Sequence, residues 1–236
     1  MAFETLAKKR RELVRAHRDN NFEAGIRSLL SDLYPDDAHF IYELLQNAED
    51  VGATQVDFVL DEAQLVVTHN GSRLFSIEDI TYITNIGENT KATDETTIGK
   101  FGVGFKAVFG YTKSPQVRSG EFSFVIEDLW VPVEIQGRAP TGVTEFTFPF
   151  NEPKKPPTLA VSEICKALTA LDASTLLFLN HIERITYRLP TGSGSLERLP
   201  EDQHRIKIRY STGDAIREDH WYRLRDTLQI DVDGES

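Results

Sequence analysis

The 236-residue sequence contains one cysteine, one methionine and no long run of apolar residues. The single thiol, Cys165, excludes an intramolecular disulfide and a zinc site built from several thiolates. A membrane-spanning helix needs about 20 consecutive apolar residues, and no such stretch occurs. The N-terminal residues carry charges without an apolar run behind them, which does not fit a signal peptide. We therefore expect a protein of the reducing cytoplasm that makes no membrane contact.

Basic residues are also outnumbered by acidic ones. The sequence has 26 Lys and Arg and 37 Asp and Glu, which gives a formal net charge of −11. This excess of acid argues mildly against a general nucleic-acid binder, although it leaves room for a local basic patch. The hydrophobic content of 40% is that of an ordinary globular protein. A chain of this length buries roughly 70% of its unfolded surface, so one or two domains with a sizeable core are expected.

Apolar periodicity predicts mixed α and β structure. The first helix covers Phe3 to Arg18 and is rich in Lys and Arg, which favours a solvated face over a nucleic-acid patch. The other predicted helices are 22–33, one that opens at Asp36 or Asp37 and continues through Ala38 to Asp50, 76–84, 106–112 and 159–171, and the predicted strands are 55–60, 64–69, 122–127, 131–135, 144–148, 181–189, 205–210 and 221–224.

Two connecting segments shape the expected organisation. Asn85 to Thr97 is polar and has no apolar period, so we interpret it as a mobile loop or lid. Gly192 to Ser195 is predicted to be a turn or flexible linker. We therefore divide the chain into a domain over 1–190 with an N-terminal helical extension, and a β-rich extension, or the start of a following domain, over 191–236.

Three polar residues recur at helical spacing in the segment ELLQNAED. Glu43 and Asn47 lie four positions apart and Asn47 and Asp50 three apart, so all three share one helix face. A carboxylate can activate water as a general base. An amide oxygen is a hard ligand that suits Mg²⁺. Taken alone, the pattern also fits an ordinary amphipathic helix.

A glycine-rich run, Gly99-Lys-Phe-Gly102-Val-Gly104-Phe105, precedes the predicted helix at 106–112. Glycines allow close backbone approach, and a following helix start supplies free N–H groups for a phosphate. The spacing matches neither a P-loop nor a dinucleotide fingerprint. Between these two motifs, the predicted strand 64–69 ends in His69-Asn70-Gly71, whose side chains could hydrogen-bond the edge of a base.

The order and spacing of the three motifs resemble the GHKL ATPase superfamily, which includes gyrase B, the heat-shock chaperones, histidine kinases and MutL. ELLQNAEDVGA and IGKFGVGFKAVF are most similar to the ninety-kilodalton heat-shock chaperones and to the ATP-binding domain of sacsin-like proteins. The resemblance covers about residues 20 to 150. It implies an α+β Bergerat fold: a two-layer sandwich of a mixed, mostly antiparallel sheet with helices on one face and a nucleotide pocket under a mobile lid.

The resemblance also implies roles for individual residues. Glu43 matches the general base that orients water toward the γ-phosphate, and Asn47 matches the Mg²⁺ ligand. Asp50 and Thr144 match residues near the nucleotide, Thr144 being the one that helps to read adenine. Lys91 resembles a lysine near the phosphates, although a solvated loop lysine fits equally well. The phosphate-binding loop corresponds to Gly99, Lys100, Phe101, Gly102, Val103, Gly104 and Phe105.

The strand-end motif departs from the family pattern D-x-G-x-G, in which the Asp accepts a hydrogen bond from the adenine amino group. Here the stretch is His69-Asn70-Gly71-Ser72-Arg73, and either His69 or Asn70 could take the Asp position. Either side chain could accept a hydrogen bond from an exocyclic amine. The departure bears more on adenine specificity than on phosphate binding.

We therefore expect an ATP- and Mg²⁺-dependent domain, the N-terminal part of a larger protein, which drives a conformational change of chaperone type or in bacterial defence. Related enzymes complete the site with a basic residue from a following domain and gate it by dimerisation, so further domains and a homodimer are the expected partners. The alternative is a nucleotide-sensing interaction module that binds without hydrolysis. A nucleic-acid enzyme of the gyrase or MutL kind is the weaker third hypothesis, supported only by the basic N-terminal helix.

Overall fold

The computed structural model describes residues 2–18, 38–85, 104–202 and 204–222. Its α-helices are α1 (Ala2–Arg18), α2 (Phe40–Asp50), α3 (Ile77–Ile83), α4 (Pro157–Thr169) and α5 (Ala173–Phe178), with a 3-10 helix at Phe105–Gly110. Its strands are β1 (Gln55–Leu60), β2 (Gln64–His69), β3 (Gln116–Ser119), β4 (Phe122–Glu127), β5 (Val131–Glu134), β6 (Thr144–Pro149), β7 (Arg184–Leu189), β8 (Gly192–Pro200), β9 (Arg205–Thr212) and β10 (Ala215–Tyr222).

The ten strands form one sheet in the order β10-β9-β8-β7-β1-β2-β6-β3-β4-β5. Among these strands β1 and β7 run parallel, and every other neighbouring pair is antiparallel. The parallel pair joins residues far apart in sequence, since Gln55 lies opposite Arg184. The predicted α+β class with a mixed, mostly antiparallel sheet is therefore confirmed.

One face of the sheet is buried and carries the helices. Residues directly opposite each other on neighbouring strands share a face, and Phe58, Val67 and Phe146 form such a row across β1, β2 and β6. These side chains belong to one apolar cluster together with the buried residues of α2, α4 and α5. Full burial of one such side chain stabilises the fold by roughly 1.5–3 kcal/mol. The protein therefore has two layers, with the core between sheet and helices.

Helix α2 begins at Phe40, later than the sequence predicts. Ala38 has a φ of 58°, in the left-handed region, so the backbone cannot continue as a right-handed helix through that position. The Ala38 N–H donates to the hydroxyl of Tyr111 at 2.7 Å, and that hydroxyl donates to Glu163 on α4 at 2.7 Å. These contacts fix the start of α2. The predicted caps Asp36 and Asp37 and the predicted helix over 22–33 lie outside the described residues.

The basic helix α1 packs on the domain along one face. Its side chains Lys8, Lys9, Arg11 and Arg15 are exposed, in line with the predicted solvated face, whereas Leu6 and Ala7 are buried. Arg10 is buried as well, and its guanidinium donates to the carbonyl of Thr81 at 3.1 Å. This hydrogen bond replaces part of the water that the buried charge would otherwise bind. None of the helices in the described ranges is both long and apolar enough to cross a membrane.

Several predicted elements differ from the observed ones. The helix predicted at 106–112 is a 3-10 helix at 105–110, and β3 and α5 were not predicted. Gly192 to Ser195 is not a linker but the first part of β8, where Gly194 lies beneath the ring of Tyr187 on β7. A Cβ on Gly194 would come within 2.3 Å of the Tyr187 hydroxyl. Gly194 therefore serves close packing rather than flexibility.

The segment from α5 to β7 is held from two directions. The Glu49 carboxylate at the end of α2 accepts backbone N–H groups from Asn180, His181 and Ile182 at 2.6–3.0 Å. Arg198 on β8 donates to carbonyl groups at the end of α5, including that of Leu176 at 3.0 Å. The predicted boundary at 190/191 falls between β7 and β8, which pair in the same sheet. Whether the two parts are separate domains stays a prediction.

Candidate nucleotide site

Three polar residues form a row across the end of the sheet, on its buried face. His69 on β2 lies opposite Thr144 on β6, and Thr144 lies opposite Ser119 on β3. The hydroxyl oxygens of Thr144 and Ser119 are 2.6 Å apart. The Ser119 hydroxyl also accepts the Phe75 N–H at 3.0 Å, which ties the loop before α3 to the sheet. The row therefore forms the floor of the space above the sheet end, and the loop before α3 forms one of its walls.

His69 is a buried, neutral side chain with one defined hydrogen bond. The Gly71 N–H donates to its Nδ1 at 3.1 Å, and its ring packs beside Phe146 with centroids 6.1 Å apart. Burial lowers the pKa of His69 to about 4, so the imidazole is uncharged at neutral pH. A Cβ on Gly71 would approach Val51 within 2.4 Å. Glycine at 71 is therefore what allows the chain to fold back over the imidazole.

A narrow cavity opens above this row, between the sheet, α2 and α3. Its lining combines three polar or charged side chains from α2, β2 and α3 with an arginine and four apolar residues. The lining residues are Asn47, Val51, His69, Arg73, Leu74, Phe75, Asp79 and Phe146. Two sequence-predicted residues, Asn47 and His69, thus meet at one cavity although they are 22 positions apart in the chain. Both are only 5% exposed.

The acid in the cavity lining, Asp79, belongs to a capping box at the start of α3. The Ser76 N–H donates to Asp79 Oδ2 at 2.8 Å, and the Ser76 hydroxyl accepts from the Asp79 N–H. Arg73 pairs with the same oxygen at 2.6 Å. The carboxylate therefore both caps α3 and neutralises the arginine.

Glu43 faces the end of the glycine-rich run. It lies one turn before Asn47 on α2, and its side chain is 23% exposed. A Cβ built on Gly104 would come within 1.8 Å of Glu43 Oε2, so only glycine fits there without moving the carboxylate. The sequence-predicted general base and the sequence-predicted phosphate loop are thus in direct contact at Gly104.

An aromatic cluster under the site joins the start of α2 to the residues that follow Gly104. Phe105, directly after Gly104, packs against Phe146 and Phe148 with centroids 6.0 and 6.2 Å away. Phe40 at the start of α2 packs on the same Phe148 at 5.9 Å. Phe105, predicted within the phosphate loop, is therefore a buried anchor for the loop.

The next residue, Lys106, is also buried. Its ammonium donates to the carbonyl of Leu129 at 2.5 Å. Burial, aided by the nearby Arg10, lowers the pKa of Lys106 to about 7. This lysine is held inside the fold, under the helix layer, and its hydrogen bond points it toward Leu129.

The remaining sequence-predicted residues are placed in different ways. Asn70 is exposed and does not line the cavity; its Oδ1 accepts the N–H groups of Thr54 and Gln55 at 3.0 and 2.9 Å. Asp50 is half-buried at the end of α2. Lys91, Gly99, Lys100, Phe101, Gly102 and Val103 lie outside the described residues, as does the predicted lid beyond Asn85.

The donor set that the described residues offer is compatible with a magnesium nucleotide. Within the described ranges no group of three or more His, Cys, Asp and Glu could hold a metal ion. The buried amide of Asn47 lines the cavity, and Mg²⁺ characteristically keeps waters and phosphate oxygens as its other ligands. A single protein amide is therefore a consistent donor set.

Sequence reasoning missed Ser119, Arg73 and the apolar walls of the cavity. Ser119 ends β3, a four-residue strand too short for its alternation to be noticed. Phe146 could have been found, because it lies two positions after Thr144 on β6 and so must share its face. Asp79 was recognised only as part of a cap, and nothing in the sequence indicates that the same carboxylate lines the cavity.

The comparison with protein families identifies the central segment. Residues 65–133, from β2 to β5, match the family described as Sacsin domain. Protein NO VEIN from Arabidopsis thaliana is 30% identical over 192 residues, which is 70% of this chain and 7% of that protein. Sacsin from Homo sapiens is 35% identical over 104 residues, covering 37% of this chain and 2% of that protein. The chain thus spans only a small part of the length of these relatives.

Two solved structures align with most of the chain at 10% identity each. The N-terminal domain of a DNA repair protein covers 78% of this chain and 68% of its own, with a TM-score of 0.47. The B-subunit of DNA gyrase from Myxococcus xanthus covers 82% and 68%, with a TM-score of 0.48. The family match and the two relatives confirm the resemblance to sacsin-like proteins that the sequence motifs indicated.

Proposed function

We propose that this ATPase-type domain binds a nucleoside triphosphate with Mg²⁺ and hydrolyses it, ATP being the nucleotide that the resemblance implies. The contact between Glu43 and Gly104 carries the proposal, because the carboxylate that would act as general base lies against the last glycine of the run that would bind phosphate. The domain would use this reaction to drive a conformational change in a longer protein.

Each described residue has a distinct part in this reaction. Glu43 would orient and deprotonate the attacking water, since its carboxylate keeps some solvent access at 23% exposure. Asn47 would hold the metal through its buried amide, and the bound Mg²⁺ would neutralise phosphate charge. His69 and Thr144 would face the base from the end of the sheet.

Calorimetric titration of the 236-residue chain with ATP, with and without Mg²⁺, tests binding. We expect measurable affinity with Mg²⁺, and a loss of about tenfold or more on removing the metal or in Asn47→Ala, because the amide ligand is then absent. Gln136→Ala, which removes an exposed amide outside the cavity lining, is the matched control. Affinity that ignores both the metal and Asn47 would contradict the proposed site.

Hydrolysis is tested separately by steady-state phosphate release. Loss of a general base lowers the rate by about 10²–10⁴-fold, so Glu43→Gln should abolish most release while leaving binding intact. Glu62→Gln removes an exposed carboxylate in the β1–β2 turn and should change neither quantity. Unchanged release in Glu43→Gln would assign the base role to another group.

A second candidate function is nucleotide sensing without hydrolysis. The observation that favours it is His69, a neutral buried imidazole at the strand end where the resemblance implies an aspartate. In that case nucleotide binds, no phosphate is released, and Glu43→Gln behaves as wild type in every assay. The same two measurements therefore separate the two functions.

A further inference from the structure

We propose that His69 determines base specificity, and that the site prefers a purine carrying an oxo group at position 6, as in guanine and hypoxanthine nucleotides, over adenine. The inference rests on the proposed triphosphate site and adds the identity of the base. It follows from the hydrogen bond that His69 makes, because that bond fixes which ring nitrogen carries the proton.

The tautomer of His69 is set by its neighbour Gly71. A backbone N–H can only donate, so the His69 Nδ1 that receives the Gly71 N–H at 3.1 Å must be unprotonated. In a neutral imidazole the proton then resides on Nε2, which becomes a donor. Burial keeps the ring neutral by lowering its pKa to about 4, so this tautomer persists throughout the physiological range.

Nε2 is the polar atom of the ring that remains for a ligand. His69 lines the cavity, and no residue in the described part of the chain hydrogen-bonds its Nε2. The ring is held in place by Phe146 on one side and by the close approach of Gly71 on the other. A donor fixed in a buried wall calls for an acceptor on the ligand, since a buried donor facing another donor leaves both unsatisfied.

This reverses the requirement that the superfamily resemblance implies. A carboxylate at the strand end accepts from the 6-amino group of adenine, whereas the Nε2–H of His69 would meet that amino group donor to donor. A 6-oxo group is an acceptor and fits the same position. In this proposal His69 donates to the base, in place of the sequence-based expectation that it accepts from an exocyclic amine.

Asp79 is the acid in the same cavity lining. It already accepts hydrogen bonds from its neighbours, which supports assigning the selection of the base to His69. Its Oδ2 receives the Ser76 N–H, the Ser76 hydroxyl and Arg73. These three bonds hold the Oδ2 side of the carboxylate at the start of α3. An adenine preference in the experiment below would transfer the acceptor role to Asp79 and overturn the inference.

Inosine triphosphate and ATP form the sharpest pair of probes, because their purines share one ring skeleton and differ at position 6 and in the proton on N1. Titrating the 236-residue chain with Mg²⁺ and ITP, GTP or ATP should show ITP and GTP binding about tenfold more tightly than ATP. Equal affinities, or tighter ATP, would overturn the inference while leaving the proposed function standing. Absence of binding by all three would overturn both.

Substitution of His69 tests the assignment to this residue. His69→Asp supplies an acceptor and should reverse the preference in favour of ATP. His69→Asn offers an amide that can turn either its oxygen or its amino group to the base, and should bring the ITP and ATP affinities within about twofold. Thermal melts of both variants establish that they fold. A preference for ITP that survives in a folded variant would contradict the role of His69.

The tautomer can be read without any substitution or nucleotide. A long-range ¹H–¹⁵N NMR spectrum of the imidazole ring should show the proton on Nε2 of His69 from about pH 5 to pH 8. A proton on Nδ1, or a charged ring in that range, would contradict the inference directly.

Discussion

At the scale of single residues, the site depends on an absent side chain at position 104. Gly104 has a φ of −61°, which any residue can adopt, so glycine is required here by space and not by backbone conformation. The atom that fills this space is Oε2 of Glu43. Position 104 therefore controls where the proposed general base points.

We expect Gly104→Ala to reduce phosphate release by about tenfold or more, because the new methyl group must displace the Glu43 carboxylate. The free energy of unfolding should change by less than about 1 kcal/mol, since a partly exposed side chain can swing toward solvent. Steady-state release and urea unfolding measure the two effects. Gly110→Ala is the control, because a Cβ there meets nothing within 4 Å. Equal activity in the two variants would contradict the proposed contact.

The sequence predicts part of the site and leaves part of it open, for a physical reason that His69 and Asn70 illustrate. Helical spacing places Glu43 and Asn47 on one face, because local geometry alone decides that. Adjacent strand residues point to opposite faces, but which of them points inward depends on register with β6 and on burial of the whole row. The motif therefore offers both residues, and long-range packing selects His69 for the cavity.

At the scale of elements, the Glu49 carboxylate joins α2 to the start of β7. Its bonds to the Asn180, His181 and Ile182 N–H groups replace the water that those groups would otherwise need. Although burial raises the pKa of Glu49, the backbone hydrogen bonds outweigh it and hold the pKa below its ordinary value of 4.5. Since the folded-state pKa is depressed, the stabilisation is complete above about pH 4.5 and is lost as the pH falls through the folded value.

We expect Glu49→Gln to lower the free energy of unfolding at pH 7 by about 1–3 kcal/mol, because the N–H groups of Asn180, His181 and Ile182 lose a charged acceptor. The difference from wild type should shrink as the pH falls below 4.5. Urea unfolding at a series of pH values measures it, with Glu62→Gln as the exposed control. A difference that stays constant down to low pH would show that the charge on Glu49 plays no part.

The elements that the sequence predicts well are those whose pattern is local. The first two strands, at 55–60 and 64–69, match the predicted bounds, because their alternation and short turn are complete within 15 residues. The glycines at 192 and 194 were predicted as a linker and form part of β8. Their strand conformation comes with the pairing of β8 to β7, where Tyr187 covers Gly194, and no local pattern reveals that long-range contact.

At the scale of the whole molecule, one sheet carries both the candidate site and the β8–β10 extension. Arg198 reaches from β8 to the end of α5, and Glu49 holds the following residues from α2. Helix α2 and the β8–β10 extension are therefore coupled, because both bind the segment between α5 and β7. A chain with this connectivity should unfold as one unit.

The two tryptophans test this cooperativity, because Trp130 adjoins β5 at one end of the sheet and Trp221 lies on β10 at the other. In Trp130→Phe the fluorescence reports β10 alone, and in Trp221→Phe it reports the β4–β5 region. We expect each probe to give the same urea midpoint as the circular dichroism of its own variant. An earlier midpoint for β10 would instead support an independent extension beyond residue 190.

The parallel pairing of β1 with β7 has a consequence for how the molecule is made. Asp57 and Thr186 contact each other across 129 positions of sequence, so this parallel pair closes only after most of the chain is available. During synthesis the N-terminal part, with the proposed site on α2 and β2, emerges long before the strand that covers β1. The edge of β1 that pairs with β7 stays open for that interval, which at 5–20 residues per second is on the order of ten seconds. This topology makes folding slow and exposes the nascent chain to aggregation until β7 arrives.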